Sequence, residues 1–297
     1  MIEKYYDGAI EQVAAGLGTV EKNHLLVRYS GQFSVENLND TKQLEKNEDI
    51  FVQVHEFETG EITCAYEPYL TMICDGFRRY MTGTFEEFME TCDVYYLHRP
   101  VLLGYFNQDN TGREEIILLD EVAYEQERML AALERMLCAI ADRHPVLFVL
   151  NRFQLASKST MQLTARFLKC ENCNIGLVLG VSDIQAMPEF LVPDWEMLYE
   201  TLDDGSKIYH IGNSGRKKEE TIDDEKYVDY GSEKVYRKLQ NMVEFLDFDQ
   251  AAYYLETIER KIKFDNLLVD DAARFRMWLL FVKVSILSFA QWFLNNM

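Results

Sequence analysis

Residues 144–183 read HPVLFVLNRFQLASKSTMQLTARFLKCENCNIGLVLGVSD. The order is apolar run, polar loop, amphipathic segment, turn, apolar run. Pro145 closes whatever helix precedes it and opens the run Val146 to Leu150, which is continuous rather than alternating. Such a run fits a strand covered on both faces. Ser157 or Ser159 supplies an N-cap for a helix from Ser159 to Leu168. Ile175 to Val181 is the next buried strand. Strand, covering helix and strand in this order spell a parallel sheet, because parallel neighbours need a long crossover.

The same grammar extends in both directions. Residues 2–16 form a helix that gives way at Gly16 and Gly18. His24 to Tyr29 (HLLVRY) is a short apolar strand, with Ser30 and Gly31 turning after it. Asp49 to His55 (DIFVQVH) alternates β-branched residues and is a second strand. Tyr66 to about Met136 is mostly helical, with Met72, Phe77, Tyr80 and Met81 on one face and Phe85, Phe88 and Met89 opening another. Ile116 to Leu119 is either a short strand or the wall of a loop. Val122 to Ile140 is a long helix with Leu130, Leu133, Leu137 and Ile140 on one side. Trp195 to Leu202 is a further helix, and Lys207 to Ile211 a last short strand. The expected fold class is α/β, a three-layer parallel sheet of about five strands.

The chain has 297 residues, 48% hydrophobic and 27% charged, enough for a sizeable core without disulfides. The formal net charge is -20. That field opposes nucleic acid and anionic membrane surfaces and matches a solvated acidic exterior. The N-terminus has no apolar stretch of the secretory kind. With Cys64, Cys74, Cys92, Cys138, Cys170 and Cys173 in no regular framework, buried thiols in a reducing cytoplasm are the expectation.

Arg216 to Lys226 (RKKEETIDDEK) has no apolar anchor and reads as an exposed linker. Everything beyond is helical: Glu233 to Leu246, Phe248 to Ile262, and Val269 to Leu294. DFDQAAYYLETIER sets small Ala251 and Ala252 beside large Tyr254 and Leu255, in the manner of a tetratricopeptide helix. One such unit needs stacked neighbours. Met277 to Leu294 approaches membrane-spanning length, but Lys283 sits in its middle, at a cost of roughly 2.5–3.5 kcal/mol on insertion scales. A buried repeat helix is therefore preferred over a partner-binding face, and a membrane anchor comes last. The chain stops on this apolar helix as a segment would whose next repeat covers it.

The order of elements resembles the STAND class, signal-transduction ATPases with numerous domains and relatives of AAA+ proteins. HPVLFVLNRFQLASKSTMQLTARFL is similar to their Walker B strand, loop and following helix. IGLVLGVSD is similar to the next strand, which carries a sensor position. CAYEPYLTMICDGFRRYM is similar to the helix after the second strand, opened by a tyrosine-and-proline motif. The resemblance spans roughly residues 20–212. It implies a P-loop-NTPase-like domain at 1–215, a charged linker at 216–232, and a tetratricopeptide-like segment at 233–297 that starts a longer array. It also implies a part in signal transduction or transcription regulation of the bacterial kind.

The chemistry of that family can be checked position by position. A P-loop needs Gly-x-x-x-x-Gly-Lys-Ser/Thr after the first strand, so that backbone N–H groups cradle phosphate, Lys neutralises charge and the hydroxyl holds magnesium. Here the place reads SGQFSVENLND. With Gly31 first, the second glycine falls on Glu36, the lysine on Asn37 and the hydroxyl on Leu38. A Walker B strand ends in a carboxylate that organises magnesium and water. This one ends in Asn151 and Arg152, and Arg152 repels a cation. The sensor strand ends in Ser182 and Asp183. Lysine, hydroxyl and acids are lost together, so the expectation is a pseudo-ATPase with no catalytic residue, no metal and no cofactor. The expected role is a non-catalytic regulatory or scaffold module. Its partner would be another protein, or its own downstream repeats, met through the C-terminal helices. The alternatives are an ATP- or ADP-binding switch with a rebuilt site and a membrane-tethered adaptor.

Other constellations are weaker. Cys170-Glu-Asn-Cys173 is a CxxC, but a zinc site needs two more ligands and no second CxxC or HxxxH exists. A redox motif belongs at a helix start after a strand, whereas this one lies between a helix and the next strand, so a helix-end turn is the preferred reading. His24, His55, His98, His144 and His210 are scattered, and no GxSxG elbow is present. Tyr5/Tyr6, Tyr95/Tyr96 and Tyr253/Tyr254 are adjacent pairs, each of which must point one member away from the core.

Overall fold

A computed structural model describes residues 2–19, 24–30, 33–35, 38, 42–43, 46, 49–58, 63–108, 122–170, 174–182, 187–203, 207–211 and 232–254. The chain divides into two compact units, 1–93 with 131–226 and 94–130 with 227–297.

The first unit holds strands β1 (Leu25–Tyr29), β2 (Phe51–Glu56), β3 (Val146–Asn151), β4 (Ile175–Ser182) and β5 (Lys207–Ile211). They form one sheet in the order β2-β3-β4-β1-β5. Every pairing is parallel, with Leu25 opposite Val178 and Lys207, Val146 opposite Ile175, and Glu56 opposite Asn151. The α/β class read from the apolar runs therefore holds. β3 and β4 are buried at every position, which is why they carry no alternation.

Side-chain parity sends the two sheet faces to different helices. Leu25, Val27, Tyr29, Leu147, Val149 and Val178 share one apolar cluster with α1 (Ile2–Gly16), through Tyr6, Ala9, Ile10 and Val13. Helix α1 can lie this close because β4 presents glycine to it. A Cβ on Gly176 would stand 2.5 Å from the Val13 side chain, and one on Gly180 would stand 2.3 Å from the Tyr6 hydroxyl. On the other face, Tyr69 of α2 (Tyr69–Tyr80) meets Phe148 edge-on at 4.7 Å and Phe167 at 5.2 Å. Nearby, a Cβ on Gly76 of α2 would stand 2.9 Å from the Ile140 side chain. A short helix, α3 (Phe85–Thr91), begins with a capping box between Thr84 and Glu87.

The second unit contains α4 (Arg99–Asn107), the start of α5 (Val122–Ala141), and, after α6 (Lys158–Lys169) and α7 (Val192–Asp203) of the first unit, α8 (Ser232–Glu244). Residues 94–130, placed with the α/β domain on sequence, are thus grouped with 227–297. The reason is packing that periodicity cannot specify. Tyr105 meets Phe245 edge-on at 5.9 Å, and the Gln126 amide donates to the Leu246 carbonyl. Leu246 takes a left-handed φ of 64°, and Asp247 N–H reaches back to Met242 O at 2.7 Å, closing α8 in a Schellman-type turn. Residues 248–254 are helical, with Tyr254 buried and Tyr253 37% exposed.

The linker at 216–231, the run at 116–119 and the apolar segment at 277–294 lie outside the described residues. Among the described residues no helix is long and apolar enough to cross a membrane.

Candidate functional site

In an open parallel sheet, ligands bind beyond the carboxyl ends of the strands. Here β1 ends in Tyr29, β2 in Glu56, β3 in Asn151 and β4 in Ser182. Parity puts Tyr29, Glu56 and Asn151 on the face that α1 covers.

These ends are tied to one another. The Tyr29 hydroxyl donates to Asn151 Oδ1 at 2.7 Å, and Asn151 Nδ2 donates to the Phe33 carbonyl at 3.2 Å. Glu56 Oε2 accepts from Ser34 Oγ at 2.8 Å and from Val35 N–H at 3.1 Å. Glu56 Oε1 pairs with the Arg152 guanidinium at 3.1 Å. The Gln154 amide closes the far side, donating to Ser182 O at 3.2 Å and accepting from Ser182 N–H at 3.3 Å. Arg152 takes a left-handed φ of 55° to turn the chain out of β3, an uncommon conformation for a non-glycine residue.

The loop after β1 turns inward. Phe33, Val35 and Leu38 are buried in the same apolar cluster as Tyr6, Ile10, Val13, Leu25 and Val27. The Phe33 ring lies 5.3 Å from Tyr6 and 5.7 Å edge-on from Tyr29. A phosphate cradle needs outward-facing N–H groups and a positive field. Here the described part of the loop offers apolar side chains, and its Val35 N–H is taken by a carboxylate.

Burial sets the ionisation of this corner. The Tyr29 phenol is pushed up to about 12 by desolvation, against the opposing pull of Arg152 and of the Asn151 hydrogen bond. Tyr6 is raised well above the usual phenol range, by burial first and then by Tyr29 and Glu56. Its hydroxyl is buried and meets no hydrogen-bond partner among the described residues. Both phenols are neutral at physiological pH and offer no anionic base.

The residues singled out on sequence are distributed as follows. Asn151 is fully buried and hydrogen-bonded at the centre of the network. Arg152 faces a carboxylate that neutralises it. Leu38 is a core residue, and its N–H donates to Val35 O at 3.1 Å. Gly31, Glu36, Asn37 and Asp183 lie outside the described residues. Glu56 was not among the residues singled out on sequence: an acid after an apolar strand is legible there, but its register opposite Asn151 is not. No family model matches this chain, and no curated protein does.

The tyrosine-and-proline segment has a clear structural role. Tyr66 N–H donates to Ser159 Oγ at 3.0 Å, and Thr160 Oγ1 donates to Glu67 O at 2.8 Å. Ser157 is the N-cap of α6, accepting from Thr160 N–H. This settles the sequence choice between Ser157 and Ser159, because the second serine is occupied by Tyr66.

Two further clusters were not legible as neighbours. In the second unit, buried His98 Nε2 lies 3.1 Å from Glu125 Oε2, and Glu125 Oε1 pairs with Arg128 at 3.2 Å. The Arg128 guanidinium sits 4.0 Å from the Tyr95 ring and 4.2 Å from the Tyr124 ring. In the first unit, Cys170 caps the end of α6, and its Sγ is 3.8 Å from Cys138 Sγ. Cys173 lies outside the described residues. No group of three or more His, Cys, Asp or Glu is placed to hold a metal ion among the described residues.

Proposed function

We propose that this chain is a non-catalytic, STAND-like regulatory module: an AAA+-type α/β core, with its phosphate site filled from within, joined to helices that serve protein contact. The five-stranded parallel sheet, in the order β2-β3-β4-β1-β5 with helices on both faces, supports the fold half of this reading.

One observation carries the functional half. Among the described residues, the side chains around the end of β3 and in the loop after β1 satisfy each other or pack in the core. Phe33, Val35 and Leu38 occupy the core, Asn151 holds Tyr29 and the Phe33 carbonyl, and Glu56, the acid that closes β2, is committed to Ser34, Val35 and Arg152. A nucleotide would have to displace buried apolar surface and break charge-assisted hydrogen bonds, each worth roughly 1.5–3 kcal/mol. Such a network serves as a rigid frame rather than a switchable site. The contact half rests on the second unit, where Tyr124, 59% exposed, lies against Arg128 and Tyr96, 60% exposed, lies against Tyr95, a composition typical of protein-binding surfaces.

Calorimetric titration of the chain with ATP and with ADP, each with and without magnesium, tests the reading. No heat of binding is expected up to millimolar nucleotide. Micromolar binding weakened by an Asn151→Ala substitution would overturn it in favour of a nucleotide switch.

A further inference from the structure

We infer that Cys138 and Cys170 form a redox-active dithiol, a site that closes to a disulfide and staples α5 to α6. Their sulfurs are 3.8 Å apart although 32 positions separate them in sequence. A disulfide needs a separation near 2.05 Å, a closure of under about 2 Å that side-chain rotation can supply.

The surrounding contacts hold the two thiols opposite each other. One turn before each cysteine, Glu134 of α5 and Arg166 of α6 pair at 2.8 Å. On the other side, the Asn174 amide donates to Ala141 O at 3.2 Å. These two contacts bracket the thiols and fix the register of the helices there. Both cysteines are half-buried rather than sealed, so a small oxidant reaches them. Cys74 and Cys92 are buried and have no such opposed partner thiol among the described residues.

The oxidant class is a low-molecular-weight disulfide, as in a glutathione pool. The thiolate of one cysteine attacks the small disulfide and releases one small thiol. The second cysteine then attacks the mixed disulfide and releases the other. Two electrons leave the protein sulfurs, and the two thiol protons end on the departing small thiols. A small-molecule dithiol reverses the reaction.

Sequence spacing favours a different product, the Cys170–Cys173 bond of the CxxC, and this makes the inference decidable. The reduced full chain is incubated with glutathione disulfide, alkylated and digested without reduction, and its cross-linked peptides are identified by mass spectrometry. The expected product is a Cys138–Cys170 linkage that dithiothreitol removes, that persists in Cys173→Ser and that is lost in Cys138→Ser. A Cys170–Cys173 linkage as the main product would overturn the inference. So would glutathione left as a stable mixed disulfide on Cys138 or Cys170, or continued alkylation of both cysteines after oxidation.

Discussion

The phenol of Tyr29 and the amide of Asn151 meet at 2.7 Å across the ends of two strands that are not neighbours in the sheet. β4 lies between them, and its Gly180 leaves the space through which they reach. A Cβ there would stand 2.6 Å from Asn151 Oδ1. The bond joins the carboxyl ends of β1 and β3, and it uses an asparagine's ability to accept and donate at once.

Asn151→Asp, which places an acid at the end of β3, is expected to destabilise the chain without conferring magnesium-dependent hydrolysis. It loses the donor to the Phe33 carbonyl and places a charge in a fully buried position, a loss of about 3 kcal/mol. Burial raises the folded carboxyl's pKa above its unfolded value near 4, so the penalty is largest at neutral pH, shrinks as pH falls toward about 4, and is gone below it. Urea titrations followed by circular dichroism at pH 7 and pH 4 measure both. Equal loss at the two pH values would show that the charge is not the cause.

Alkaline pH should weaken the fold. Tyr29 is raised to about 12 and Tyr6 and Tyr69 are raised by burial, whereas phenols in the unfolded chain titrate near 10. Between these values the folded protein binds more protons than the unfolded one, so stability is complete below about pH 10 and falls above it. The buried thiols of Cys74 and Cys92, pushed up to about 12 and about 11, act with the same sign but from lower pH, since unfolded thiols titrate near 8.5. Urea midpoints at pH 8, 10 and 11 should fall in that order. Tyr29→Phe should lower the pH 8 value by the loss of one hydrogen bond, about 1 kcal/mol, and flatten the alkaline decline. An unchanged decline would remove Tyr29 from the account.

Gly180→Ala tests the approach of α1 to the sheet. Alanine ordinarily suits a strand better than glycine, by roughly 0.5–1 kcal/mol. Here its methyl meets the Tyr6 hydroxyl and Asn151, and the expected result is a net loss of about 1–3 kcal/mol. Tyr6→Phe removes the nearest atom, itself without a hydrogen-bond partner among the described residues. The double variant should therefore recover part of the loss. Strict additivity in the double-mutant cycle would rule out the contact.

The cysteines should differ in reactivity. Burial holds the Cys74 and Cys92 thiols in the protonated form, and only the thiolate is nucleophilic. Timed alkylation of the native, reduced chain at pH 8, read by peptide mass spectrometry, should modify half-buried Cys64, Cys138 and Cys170 before Cys74 and Cys92. Early labelling of Cys74 would contradict the packing of α2.

The sequence by itself determined the elements. Continuous apolar runs at Val146 to Leu150 and Ile175 to Val181 fit strands covered on both faces, and Ser157 or Ser159 could be read as a cap because such a side chain acts within one turn. The sequence also determined that no lysine and no acid stand where the resemblance would place a P-loop lysine and a Walker B acid, since those are matters of residue identity. Tertiary structure decided what replaced them. That Glu56 would neutralise Arg152, that Leu38 would sink beneath α1, and that Cys138 would face Cys170 depend on strand order, register and helix placement. Each joins residues remote in sequence, where neither periodicity nor propensity carries information. The grouping of residues 94–130 with the C-terminal helices was hidden for the same reason: a helix's apolar face records that it is buried, and packing alone chooses the partner.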